Sequence, residues 1–362
     1  MKTILDLPEN LVEDEIIARL PMKSLKSVRS TCKKWNILCK NRIFLGEGGA
    51  KKHFFLMMDS RRICLMNLDN GGDPSIKQVS VLDHQIQISK VFQCDGLLLC
   101  LLEDCSRLLV WNPYSGKTRW IEPRNTSFHT SDRFALGYDR NNLNFKILRI
   151  SNETDPVEFE IYKFSSSSWK VLDVTPHAHG EIWSHSRGVS LKGNTYFRTS
   201  ALGSFLCFDF TAESFGPILP LPPSHSYHGL HFLSFSCVRE EQQLAVMYQH
   251  WQARQTIEIS VTDKIGPDVV SWTKFLKVDT GTWVDPSAGS FLVDEEKKIA
   301  VVFVLEMVSG CLYQTARVFG QDGYFKSLRI REATSYSPNK RCFAPVVCSS
   351  YLPSLLQLNQ PG

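Results

Sequence analysis

Three histidines spaced three apart, His225, His228 and His231, come nearest in this chain to a metal site. Imidazoles brought close together can share a zinc ion, but the backbone must present them on one side, usually with a fourth donor. These three fall in a stretch rich in Pro, Ser and Gly, with no carboxylate or cysteine close by, so they read as exposed loop histidines. His177, His179 and His185 read the same way. The eleven cysteines contain no Cys-x-x-Cys pair, which argues against zinc ribbons and thioredoxin-like redox chemistry. Cys64, Cys100 and Cys207 replace aliphatic residues within apolar runs, and buried reduced thiols in a reducing compartment are the simple reading. There is no Gly-x-Ser-x-Gly elbow, no phosphate-cradling glycine loop and no Gly-x-Gly-x-x-Gly. Asn125-Thr126-Ser127 and Asn152-Glu153-Thr154 match the glycosylation pattern by chance in a chain with no secretory signal. No catalytic residue, metal or cofactor is expected.

With chemistry set aside, composition bounds what the elements can be. The 362 residues, 43% of them hydrophobic, leave room for a small module plus one large domain with a sizeable core, or for two or three ordinary domains. A net charge of +4 lacks the concentrated basic stripe that nucleic acid demands. The dense basic stretch from Lys23 to Lys40 is better read as a solvated helix surface. Asp6, Pro8 and Glu9 interrupt any signal-like run, and Leu97 to Leu102 and Ile299 to Leu305 are far too short to span a bilayer. A soluble intracellular protein without membrane or nucleic-acid partners is expected.

The N-terminal segment has helical spacing. Asn10 caps a helix and Glu13 reaches back toward it, and Leu11, Val12, Ile16 and Leu20 then recur at helical intervals. Pro21 ends that helix and Ser24 caps the next, whose Leu25, Val28, Cys32 and Trp35 share a face. A module of about 40 residues is near the lower limit for a self-sufficient core, so its apolar stripe needs a partner, external or the domain behind it. Gly46 to Lys52 reads as a linker.

Behind that linker the period changes to short apolar or alternating runs punctuated by turns, an all-β signature. The runs repeat as strand, polar turn, strand, loop, strand, turn, strand over Val91 to Ile121, Arg133 to Leu172, Gly188 to Leu219, Leu233 to Leu276 and Ser290 to Leu328. First turns near Asp95, Arg140, Gly193, Glu241 and Glu295 are about 45 to 54 residues apart, the length of a four-stranded propeller blade. Pro113 with Gly116, and Gly193 with Asn194, supply turn chemistry. Trp111, Trp120, Trp169 and Trp272 are expected to pack between blades. An incomplete unit at His53 to Leu68 and an orphan segment at Ala344 to Leu358 would pair to close the ring, because an open ring leaves unpaired sheet edges. The expectation is a small all-α module over 1–45, a linker over 46–52 and a large all-β domain over 53–358, a β-propeller of six blades. Five or seven blades, or a long β-sandwich, are the alternatives.

Two stretches carry a family resemblance. LPENLVEDEIIARLP, from Leu7 to Pro21, with Ser24, Leu25, Val28, Arg29, Cys32, Lys33 and Trp35 after it, resembles the F-box. CDGLLLCLL, VWNPYSGKTRWIEPRN, RFALGYD, RGVSLKGNTYF, FLCFDFTAESFGPILPLP and FLVDEEKKIAVVF are similar to the type 1 F-box-associated domain of plant F-box proteins. That domain is a propeller of the Kelch and galactose-oxidase-like class, although the paired glycines of Kelch repeats are missing from most units here. The resemblance implies that Leu7, Pro8, Leu11, Ile16, Leu20, Pro21, Leu25, Val28, Cys32 and Trp35 dock a Skp1-like adapter, which connects to a cullin scaffold. It implies a non-catalytic substrate-recognition subunit of an SCF ubiquitin ligase, in the nucleus, the cytoplasm or both, whose propeller binds an unidentified target protein. Alternatives are a propeller enzyme or small-molecule sensor using the central channel, or an F-box scaffold acting outside a ligase.

Overall fold

The computed structural model describes residues 86–332 apart from short connections, of which 152–155, 177–181, 183–186, 223–231, 250–255 and 281–289 are the longest, together with strand segments 54–59, 62–67, 75–78 and 346–348. The expected helices over 1–45, the ten docking residues from Leu7 to Trp35 and the 46–52 linker lie outside the described residues. The chain divides into two compact units, 1–54 with 67–72 and 55–66 with 73–362, and the second carries the β-structure.

That structure is a set of four-stranded antiparallel sheets. β4 (Ile88–Cys94), β5 (Leu97–Leu102), β6 (Leu108–Asn112) and β7 (Lys117–Ile121) make one blade in that order. The next three are β8 (Arg133–Tyr138) to β11 (Ser168–Leu172) through β9 (Phe145–Ser151) and β10 (Glu158–Lys163); β12 (Val189–Leu191) to β15 (Ser214–Pro220) through β13 (Asn194–Arg198) and β14 (Ser204–Asp209); and β16 (Phe232–Val238) to β19 (Val270–Asp279) through β17 (Gln243–Gln249) and β18 (Thr256–Ile265). β20 (Phe291–Asp294), β21 (Ile299–Val308), β22 (Cys311–Gly320) and β23 (Phe325–Glu332) complete five blades of consecutive strands. A further sheet joins β1 (Phe54–Asp59), β2 (Arg62–Asn67) and β3 (Ser75–Gln78) to β24 (Val346–Cys348), with Leu56, Met57 and Met58 opposite Cys348, Val347 and Val346. The large all-β propeller expected from the repeats is therefore present, with five blades of consecutive strands and one composite sheet built from both ends of the domain.

Burial follows position within the blade. β5 and β14 are buried at every residue, because second and third strands are covered on both sides by neighbouring blades. The outer strands β7, β11 and β19 alternate or face water. The cores accordingly lie between blades. Leu99, Leu101 and Val110 pack with Phe134, Leu136 and Ile147, and Leu148 and Ile161 pack with Phe197, Leu206 and Phe208. Phe205 and Cys207 meet Leu244 and Val246, and Met247 and Ile259 meet Phe291 and Val302. Ile63 packs with Leu98, Leu109 and Trp111 between the composite sheet and the first blade. Each such side chain stabilises the ring by about 1.5–3 kcal/mol when fully buried.

The inner strands β4, β8, β12, β16 and β20 lie side by side in sequence order. Polar ties lace them together. The Ser190 hydroxyl donates to the Leu136 carbonyl at 2.6 Å, the Cys237 thiol to the Ser190 carbonyl at 3.2 Å, and the Ser236 hydroxyl to the Phe291 carbonyl at 2.7 Å. Tyr138 N–H donates to the Gly193 carbonyl at 3.0 Å. Gly137 permits this approach, since a Cβ there would stand 2.4 Å from that carbonyl oxygen and 2.2 Å from the Phe210 ring.

Two details differ from the sequence expectation. Trp120 does not pack between blades: it is 36% exposed, with the Arg107 guanidinium of its own blade 4.5 Å above its ring. Trp111, Trp169 and Trp272 do bridge blades, the last two by donating Nε1–H to the Glu122 and Pro220 carbonyls at 2.8 and 3.0 Å. The turn expected at Gly193-Asn194 sits one residue earlier. Lys192 and Gly193 take the positive φ values of 51° and 80°, and Asn194 already begins β13.

Candidate recognition surface

Strands within a blade alternate direction, so the head of every inner strand opens on one side of the propeller, together with the link between second and third strands. Near the heads of β4, β8 and β12 that side gathers cations. Lys90 lies on β4, Arg133 begins β8 and Arg187 stands two residues before β12. Arg198 ends β13 at the edge where β12 begins, since Val189 pairs with Tyr196.

Backbone carbonyls anchor two of these groups. Lys90 Nζ donates to the carbonyls of Thr130 at 2.6 Å and Asp132 at 2.8 Å. Arg133 Nη1 donates to the Ile182 carbonyl at 2.8 Å. Burial holds Lys90 below the usual lysine range; Asp132 and Cys105 oppose that shift, while Arg187 and Arg133 add to it. Burial also pushes Arg133 down to about 10 and lowers Arg198. Arg187 is exposed.

A buried ion network underlies the surface. Asp132 Oδ2 accepts from Arg149 Nε at 2.8 Å, from Arg149 Nη2 at 2.7 Å and from the His129 N–H at 2.9 Å. Arg149 Nη1 donates to Glu160 Oε2 at 2.9 Å, and Arg124 pairs with Glu160 and, at 2.9 Å, with Glu158. The Arg149 guanidinium also lies 5.2 Å from the Phe128 ring. Asp132 and Glu160 have no exposed surface, so this network fixes the path of 128–132 into β8.

On the opposite side three cations pair with carboxylates. Lys146 and Lys163 both reach Glu213, at 2.8 and 2.7 Å, and Arg140 pairs with Asp209 of the next blade. Lys90 Nζ, by contrast, ends its hydrogen bonds on the carbonyl oxygens of Thr130 and Asp132.

Cys94, Cys100, Cys105, Cys207 and Cys237 are buried free thiols, and burial pushes the Cys207 thiol far up, as expected for an unreactive core residue. His177, His179, His185, His225, His228 and His231 lie outside the described residues. Among the described residues no group of three or more His, Cys, Asp or Glu is placed to hold a metal ion. No helix among them is long and apolar enough to cross a membrane. The repeats, once aligned, carried a signal for the cations: a basic residue stands at or near the head of three successive inner strands, in ISKVF, RFALG and RGVSL.

The family model described as the F-box associated beta propeller domain matches residues 53–358, and that of the F-box domain matches residues 4–45. The chain belongs to the F-box proteins with an F-box-associated propeller. Among similar relatives of this F-box family, the F-box/kelch-repeat protein At3g13680 of Arabidopsis thaliana is 51% identical over 100% of this chain and 98% of its own. F-box protein At3g49510, from the same plant, is 46% identical over 99% of this chain and 100% of its own. The F-box-associated propeller thus accounts for the β-domain, and the cationic surface sits on it.

Proposed function

We propose that this protein is the substrate-recognition subunit of an SCF ubiquitin ligase. The observation that carries the reading is the occurrence, on one chain, of an F-box match over 4–45 and an F-box-associated propeller match over 53–358. In this reading Leu7, Pro8, Leu11, Ile16, Leu20, Pro21, Leu25, Val28, Cys32 and Trp35 form the stripe that docks a Skp1-like adapter, and the adapter connects to a cullin. The composite sheet of β24 with β1–β3 serves as the sixth blade of a closed ring. The propeller holds a target protein, whose lysines then face a ubiquitin thioester at high effective concentration. The receptor itself supplies no acid, base or nucleophile. Its work is done inside the cell, in the nucleus, the cytoplasm or both.

The test is capture of a Skp1-like protein by the full chain, compared with Leu20→Asp and Trp35→Ala. Each substitution corrupts an apolar contact worth about 2–5 kcal/mol, enough to abolish capture. Wild-type capture by both variants, with the propeller folded, would remove the docking assignment.

A further inference from the structure

Arg119 of β7 reaches from the first blade of consecutive strands to the second, at the turn between β10 and β11. There Ser165, Ser166, Ser167 and Ser168 stand exposed in a row. Arg119 Nη2 donates to the Ser167 hydroxyl at 2.9 Å, to the Phe164 carbonyl at 3.2 Å and to the Tyr162 hydroxyl at 3.3 Å. Its guanidinium also lies 4.7 Å from the Phe164 ring and 5.8 Å from the Tyr162 ring, and the residue is buried, so the charge is held in one place. We propose that Ser167 is a phosphorylation site, its phosphate held by Arg119 across the junction of these two blades. The proposal goes beyond the ligase reading and does not depend on it.

The bond from Arg119 uses a lone pair of the Ser167 oxygen and leaves the hydroxyl proton for a base to take. In the transfer, Oγ attacks the γ-phosphorus of ATP bound by a protein kinase. The Oγ–P bond forms, the bond from that phosphorus to the oxygen bridging it to the β-phosphate breaks, ADP departs, and the serine proton passes to the kinase's base. The product carries about 1.5 to 2 negative charges at pH 7. They arise beside a planar cation already within hydrogen-bond distance of the ester oxygen. A neutral acceptor thus becomes an ionic one, which strengthens the interaction. Tyr162 and Phe164 fix the guanidinium before any phosphate arrives, so little side-chain freedom is lost on pairing. Other surface hydroxyls are placed differently. Ser106 and Thr273 donate to Asp104 and Asp263 at 2.8 and 2.7 Å, where a phosphate would meet a carboxylate at once. Ser166 and Ser168 share a hydrogen bond with each other at 2.8 Å. Pairing at Ser167 would add an ionic tie where Trp169 Nε1–H already joins the same two blades through the Glu122 carbonyl.

The experiment uses the full chain in two arms. Phosphopeptide mass spectrometry of the chain recovered from plant cells under phosphatase inhibition is expected to find phosphate on Ser167. In the second arm, phosphoserine is placed at position 167, or at 166 as the positional control, by suppression of a stop codon during synthesis. Phosphoserine at 167 should raise the melting temperature by about 2 °C over the unmodified chain. It should also slow amide exchange in β7 and in the 164–169 turn. Phosphoserine at 166 should produce neither change. With Arg119→Lys, which keeps the charge but loses the planar fork, the rise should fall to about half, and with Arg119→Gln it should vanish. Absence of phosphate from Ser167 in the recovered chain, no rise at 167, equal rises at 166 and 167, or a rise that survives Arg119→Gln would each overturn the proposal. Should Arg119→Gln fail to fold, the comparison of 166 with 167 and the Arg119→Lys variant decide the matter.

Discussion

Asp132, Arg149 and Glu160 form a buried network in which every charge depends on its neighbours. Removing one member strands the others away from water, which costs about 3–5 kcal/mol for a buried pair. Asp132→Ala should therefore lower the unfolding free energy of the propeller by that amount, and its denaturant midpoint with it, whereas Glu122→Ala, at a carboxylate paired at the surface with Arg107, should change the free energy by less than about 1 kcal/mol. Equal midpoints for the two variants would show that the network contributes nothing. Glu258 gives a prediction with a sign in pH. Burial works to raise its pKa, but hydrogen bonds from Lys277 and Tyr248, both at 2.8 Å, and the Lys274 ammonium outweigh burial and hold it at about 2, below its ordinary 4.5. A depressed carboxylate contributes stability that is present above its unfolded pKa and lost as pH falls through the folded one. The contribution should therefore be complete above pH 4.5 and disappear toward pH 2. Both lysines are more than half exposed, so screening reduces it to about 1 kcal/mol. Glu258→Gln should be less stable at neutral pH and lose less between pH 4.5 and 2, as denaturation at several pH values would reveal. Neither network is legible in sequence, because Asp132, Arg149 and Glu160 meet only once the register of β8, β9 and β10 sets Arg149 opposite Phe134 and Glu160.

The strands themselves were largely legible, for a physical reason. The second and third strands of each blade are covered on both sides, so LLLCLL and FLCFDF stand out as unbroken apolar runs bounded by turns. The pattern fades where an element leaves that cover. β21 and β22 run on to Val308 and start at Cys311, with Met307 61% exposed, whereas the apolar pattern marks only Ile299 to Leu305 and a strand from Thr315. Backbone pairing sustains that hairpin, Leu305 opposite Gln314 and Val308 opposite Cys311, and Arg317 Nη2 donates to Glu306 Oε1 at 2.7 Å. Trp120 misled because an aromatic on an outer strand can lie flat under a guanidinium as readily as between blades. Register at Lys192 and Gly193 was off by one because a residue other than glycine takes the first positive φ. Closure makes the prediction at this scale. Truncation after Arg341 removes β24 and leaves the backbone of β1 from Leu56 to Met58 without its partner. An exposed apolar edge templates pairing with other chains, so light scattering should detect aggregates and the unfolding transition should broaden. A monodisperse truncated protein of unchanged stability would show that the composite sheet does not close the ring.

At the scale of the whole molecule, the question is whether recognition and delivery belong to separable parts. The N-terminal motif was legible because it is short, local and helical in period, whereas the cationic surface was not, because its members are spread from Lys90 to Arg198 and gain meaning only when inner strands converge. One compact unit takes in residues 1–54 and 67–72 and the other 55–66 and 73–362, and among the described residues the inter-blade cores draw on residues from Ile63 onward. Deletion of Met1 to Gly49 should therefore leave the propeller folded, with an unfolding transition close to that of the full chain. If delivery depends on tethering alone, this fragment should bind the target as tightly as the full chain yet fail to promote its ubiquitination, since effective concentration supplies the whole effect. Overexpressed, it should occupy target without delivering it, so that target levels rise. A folded fragment that leaves target levels unchanged, or that turns over a small molecule by itself, would overturn the proposed division of labour between F-box and propeller.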